Sequence, residues 1–186
     1  MSDKSSQSNL YTALQNHDHE TVRRLIQHMD GDLRENIMRV FIDLTLAERG
    51  FIMLRNKESG EIKPVILLEF PEDEILGQLS TAKIIQEIVQ EVVEGGLPLL
   101  TNNALPDYRW MSKEDTVALA KLKLRVIIAV PLKVGNSIIG VVYVDKRISV
   151  GVFNQETDYQ LVQSLADAVA PLLLNSSNSR LHWRLG

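Results

Sequence analysis

Apolar and polar positions alternate along this chain with two different periods, and the changes of period mark its elements. Leu10 and Leu14 form one short face. Val22, Leu25, Ile26 and Met29 then recur at helical spacing, which predicts helical chain over 9–29 with Asp18 capping its second segment. Residues 1–8 are polar and read as disordered. "DGD" at 30–32 interrupts the pattern, and a further helix fits 33–47 with Ile37, Val40, Phe41 and Leu44 on one face.

At Arg49 the signal switches. "RGFIMLRN" and "EIKPVILLEF" are apolar runs joined by "KESG", which predicts a hairpin whose second arm, carrying Pro64, is an edge strand or opens with a bulge. "FPEDEILGQLS" reads as a loop. The clearest helix spans 80–93, with Ile84, Ile85, Ile88, Val89, Val92 and Val93 as its stripe and Gly95-Gly96 as its stop. A short strand, "LPLLT", leads into the irregular "NNALPDYRW". "SKEDTVALAKLK" returns to helix, with Ser112 and Asp115 at capping-box spacing.

Strands over 125–134 and 137–146 follow, joined by Gly135-Asn136, a pair suited to a tight turn because Gly accepts positive φ. Two residues in this hairpin weaken strands. Pro131 implies a position that needs no N–H, or an edge. Gly140 implies a close approach, which is assigned to a terminal helix packing on the sheet. A last helix begins near Asn154. It carries Val162, Leu165, Ala166, Val169, Leu172 and Leu173 inward or toward a partner, and Pro171 is expected to kink it. Hairpins joined by helical excursions predict an α+β fold, an antiparallel sheet covered by helices.

Composition narrows the function. The 186 residues suffice for one domain with a real core and short extensions. Aromatic residues make up 5 %, so the core rests on Ile, Leu and Val. The net charge of −4 and the short basic clusters Arg23-Arg24 and Lys121 to Arg125 argue against binding nucleic acid. No apolar run is long enough to cross a bilayer, and the N-terminal stretch has no signal-peptide pattern, so the chain is read as cytoplasmic with no membrane partner. There is no cysteine, and the four histidines fall at 17, 19, 28 and 182. That removes thiolate nucleophiles, thiolate-bound metals and thioether-linked chromophores, and leaves the body of the chain without imidazole.

No phosphate-cradling, dinucleotide, nucleophile-elbow or zinc-protease motif is present. The acidic pairs near Glu72–Glu74, Asp107 and Glu114–Asp115 read as solvated or capping groups. No nucleophile–base pair is found, and the chain is read as no enzyme, with no catalytic or metal residues. The stretch 102–111 is the exception to this blandness. It places Tyr108, Arg109 and Trp110 between a strand and a helix. These side chains either plug the end of the core or roof a small-molecule pocket.

Four blocks, "AERGFIML", "GGLPLLTNNALPDYRW", "VALAKLKLRVIIAVPLKVGNSIIGVVYVDKR" and "GVFNQETDYQLVQSLADAVAPLL", stand in an order and at spacings that resemble a GAF domain. The resemblance implies a GAF-like, profilin-like fold: a twisted antiparallel sheet of five to six strands with helices on both faces. It places the GAF domain at 33–175, between an N-terminal disordered start and helical extension at 1–32 and a polar tail at 176–186. It implies a regulatory sensor that binds a small molecule and controls an attached or partner output, such as a kinase, cyclase or transcription activator, by rearrangement of a dimer.

The candidate ligand residues are Asn103, Tyr108, Arg109, Trp110, Thr116 and Arg125, with Arg109 or Arg125 able to pair a carboxylate. Without Cys or a body His, the bilin- and haem-binding branches of the family do not fit, and no resident cofactor is expected. The cyclic-nucleotide branch is matched in part, by Lys146 and Phe153 but not by Asp145, Thr157 or Asp158; Lys146 is expected to pair with Asp158. A second reading is a ligand-free dimerisation and signal-transmission module. It rests on the terminal helices, where Val162, Leu165, Val169 and Leu172 stand at near-heptad spacing and suggest a homodimer.

Overall fold

Strand alternation decides which side of the sheet each residue serves, and it divides the interior into two cores. The computed structural model describes residues 3–77, 80–101, 126–146 and 157–176. Its elements are α1 (Asp3–Gln15), α2 (His19–Gln27), α3 (Leu33–Thr45), β1 (Arg49–Arg55), β2 (Ile62–Leu68), α4 (Asp73–Leu76), α5 (Ser80–Gly95), β3 (Leu99–Thr101), β4 (Val126–Val134), β5 (Ser137–Lys146) and α6 (Thr157–Ser176). The described strands form one antiparallel sheet in the order β2-β1-β5-β4-β3.

On one face, Ile52 and Leu54 of β1, Val126, Ile128, Val130 and Leu132 of β4, and Val142 and Val144 of β5 pack with α1, α2, α3 and α6. On the other, Phe51, Met53, Ile127, Ala129, Val141 and Tyr143 pack with the isoleucines and valines of α5 and with Ile75 of α4. A sheet buried on both sides needs near-continuous apolar strands, which β4 and β5 supply.

The helix starts follow capping chemistry. Asp18 Oδ1 accepts from the Thr21 amide at 3.1 Å, and Asp32 Oδ1 accepts from the Arg34 and Glu35 amides. The end of α6 is held from outside: Arg34, in the first turn of α3, donates from Nη2 to the Ser176 carbonyl at 3.1 Å and from Nε to Ser176 Oγ. A cation at a helix C-terminus satisfies carbonyls that have no partner in the helix itself.

Several expectations change. Helix α1 begins at Asp3, so the polar stretch read as disordered is helical from that residue. The segment read as a loop after Phe70 contains α4, a single turn closed by Glu74 N–H to the Pro71 carbonyl and held down by buried Ile75. Pro171 lies inside helix α6, at the place where a kink is expected. The near-heptad residues of this helix, Val162, Leu165, Val169 and Leu172, are all buried within this chain, where they cover the sheet. The helix expected from Ser112 lies outside the described residues.

Pro64 sits on edge strand β2, and the register shifts beside it, between Ile52 and Met53 of β1. Pro131 lies beyond the three residues of β4 that β3 pairs. Gly140 answers to a different neighbour than expected. A Cβ there would stand 2.1 Å from the Met53 carbonyl oxygen and 2.9 Å from Leu54 Cδ2. The close approach is that of strand β1, not of a terminal helix.

Candidate functional site

The α5 face of the sheet ends in a row of four residues, three of them polar. Arg49 pairs with Asp145, Asp145's strand neighbour on β4 is Ile127, and Ile127 pairs with Thr101. Alternation places all four on the face that carries Phe51, Tyr143, Ala129 and Leu99. Arg49, Asp145 and Thr101 are buried. The chain leaves the described sheet at Thr101 and re-enters it at Val126, both at this end.

Arg49 is the centre of the arrangement. Its Nε donates to Asp145 Oδ1 at 2.7 Å and its Nη1 to Glu74 Oε2 at 2.5 Å. Its Cζ lies 3.9 Å from the centroid of the Phe70 ring, a distance at which the ring quadrupole attracts a cation. Phe70 in turn packs edge-on against Phe51 and Tyr143, which stack on each other at 4.7 Å. Burial disfavours the charged guanidinium, but the hydrogen bonds and charges of Asp145 and then Glu74 outweigh it and hold the Arg49 pKa above its ordinary value. Arg49 is therefore a cation at every pH the protein meets.

One donor is left over. Arg49 is 2 % exposed, and its Nη2 has no hydrogen-bond partner among the described residues. A buried donor without an acceptor is costly, and in a native protein it calls for an explanation. Glu74, the most exposed member at 18 %, stands at the rim on α4. That helix is fixed independently, by Ile75 in the core and by Gln86 Nε2 donating to the Ile75 carbonyl at 2.7 Å.

The candidate residues read from the sequence, Asn103, Tyr108, Arg109, Trp110, Thr116 and Arg125, lie outside the described residues. Lys146 is buried at the end of β5, while the Asp158 side chain expected to pair with it is not described. Sequence reasoning missed Arg49, Glu74 and Asp145 as a unit. A signal was present: Arg49 opens one apolar strand, Asp145 closes another, and opposite charges at those positions meet when the strands run antiparallel. Among the described residues no group of three or more His, Asp or Glu side chains could hold a metal ion. No described helix is long and apolar enough to cross a membrane.

Among the described residues a five-stranded antiparallel sheet carries a helical layer on one face and a shorter helical cover on the other, which defines an α+β module. The family model for the GAF domain matches residues 32–173, and the chain belongs to that family. GAF domains are regulatory sensor domains. No curated protein matches the chain.

Among solved structures, the chain is similar to the GAF domain of a phosphoenolpyruvate-protein phosphotransferase from Coxiella burnetii, with TM-score 0.61 and 12 % identity over 92 % of this chain and 96 % of that one. It is similar to the nlh2 GAF domain of A. aeolicus in an inactive state, with TM-score 0.52 and 19 % identity over 94 % and 99 %. It is also similar to a GAF domain/HD domain protein from Geobacter sulfurreducens, with TM-score 0.57 and 12 % identity over 79 % and 93 %. At these identities the likeness speaks for the fold.

Proposed function

We propose that this chain is a regulatory input domain that binds a small molecule on the α5 face of its sheet and controls an attached or partner signalling output by rearrangement of a dimer. The observation that carries this reading is the buried Arg49 with its unused Nη2 donor, set at the end of an apolar, aromatic-walled face. Apolar walls with a few placed polar groups are the composition of ligand sites. Relatives in fold come from multidomain proteins, among them a phosphotransferase and an HD-domain protein, which fits an input role. With no cysteine in the chain and no histidine in its body, the ligand is a dissociable metabolite rather than an attached bilin or haem.

A thermal-shift screen of metabolites on the wild-type protein tests this. A ligand present at ten times its Kd or more should raise the midpoint by about 3 °C. A broad screen in which no compound moves the midpoint overturns the reading.

A further inference from the structure

The unused donor on Arg49 specifies the chemistry of its acceptor. The two terminal nitrogens of a guanidinium form a planar fork that matches a carboxylate with two parallel hydrogen bonds. Here Glu74 occupies Nη1 and leaves Nη2 empty. Adding an anion to a guanidinium already faced by Glu74 and Asp145 would be opposed by both carboxylates. Exchanging one carboxylate for another carries no such penalty.

We infer that Arg49 is a carboxylate-exchange site: the carboxylate of a small organic acid takes the place of Glu74 and binds Nη1 and Nη2 together. The inference rests on the reading that the α5 face takes a small molecule, and it names the ligand's class. Three features of the site support the exchange. Glu74 is the member at the rim, the one of the two carboxylates that is partly exposed. Helix α4 stays anchored through Ile75 and Gln86 when Glu74 lets go. Asp145, fully buried and bound to Nε, keeps the guanidinium in place throughout. Glu74 is then an internal competitor, and its removal should increase the site's affinity for free carboxylates.

The test compares the thermal midpoint of Glu74→Ala in sodium acetate with that in sodium chloride at equal ionic strength. Acetate should raise the variant's midpoint saturably by about 3 °C over chloride, and the wild type's by clearly less. An equal response to the two salts overturns the proposal. If Glu74→Ala folds in neither salt, Glu74→Gln, which keeps the volume but removes the charge, takes its place; acetate must again exceed chloride, and a flat response overturns the proposal. The two readings fail separately. Acetate rescue of the variant together with an empty metabolite screen keeps the carboxylate site and sinks sensing. A wild-type ligand that lacks a carboxylate, with no acetate effect, sinks the carboxylate site alone.

Discussion

Arg49 and Asp145 stand directly opposite each other on neighbouring antiparallel strands, and the guanidinium Nε donates to Oδ1 at 2.7 Å with neither side chain more than 2 % exposed. A buried ion pair is weak evidence of net stabilisation, because desolvation offsets much of the attraction, but breaking one side of it is expensive. Arg49→Met should therefore lower unfolding stability by about 3–5 kcal/mol, since it strands a buried carboxylate. Arg49→Met with Asp145→Leu should cost clearly less than the sum of the two single changes. Urea denaturation of the four proteins in the cycle measures this; additive losses would show that the pair is not coupled.

The glycines of the sheet and of α5 should respond in opposite directions. Gly140→Ala drives a methyl group into the backbone of β1 at Met53 and should cost about 3 kcal/mol or more. Gly95, the last residue of α5, has open space around its Cβ position and no positive φ. Gly95→Ala should be neutral or stabilise by about 0.5 kcal/mol, through the unfolded chain. Denaturation midpoints of both variants decide it.

Leu165→Glu and Val169→Glu place a charge where the wild-type side chain is fully buried. Each should abolish the folded state, at a cost of more than about 4 kcal/mol. Circular dichroism and light scattering together read the outcome. A well-folded monomer from either variant would mean that these residues serve a dimer seam instead of the core.

Asp18 supplies a pH-dependent contribution at the start of α2. Its hydrogen bonds from Thr21 hold its carboxyl below the usual value of 3.8. A depressed folded-state pKa contributes stability that is present above the unfolded pKa and is lost as pH falls through the folded one. The stability gap between wild type and Asp18→Ala should thus be full at pH 7 and shrink below pH 3.8. Urea melts at neutral and acidic pH measure the gap, and a gap that stays constant would show that the carboxylate charge plays no part in the cap.

The elements with strong periodicity were legible from sequence. The stripe of α5 and the apolar runs of β1, β4 and β5 appear where their patterns place them, because burial on a defined face leaves a period in the chain. Asp18 and the Gly135 turn were legible for a local reason, a side chain or a positive φ acting within a few residues. Helix α4 was not, since one turn is too short to show a period and its hold is the tertiary contact of Ile75. The cause of Gly140's conservation of space was also hidden: a sequence shows that something approaches a glycine, but not whether helix or strand does. The Arg49–Asp145–Glu74 cluster was hidden for the same reason. Its members are 96 and 25 residues from Arg49 along the chain, and only the strand order brings them together. In isolation Glu74 looks like one more acid in a solvated acidic run.

The bond between Arg34 and Ser176 has a consequence for architecture at a larger scale. Arg34 lies just inside the start of the family-matched region and Ser176 just past its end, and the two are joined by hydrogen bonds at 3.1 and 3.4 Å. Entry to and exit from the domain therefore share one doorway. The segment before Arg34 does not leave from there as a free linker, because α1 and α2 fold back into the same core as α3 and α6. Any shift of α6 against α3 acts at that shared doorway, where a small displacement is felt by both flanks at once.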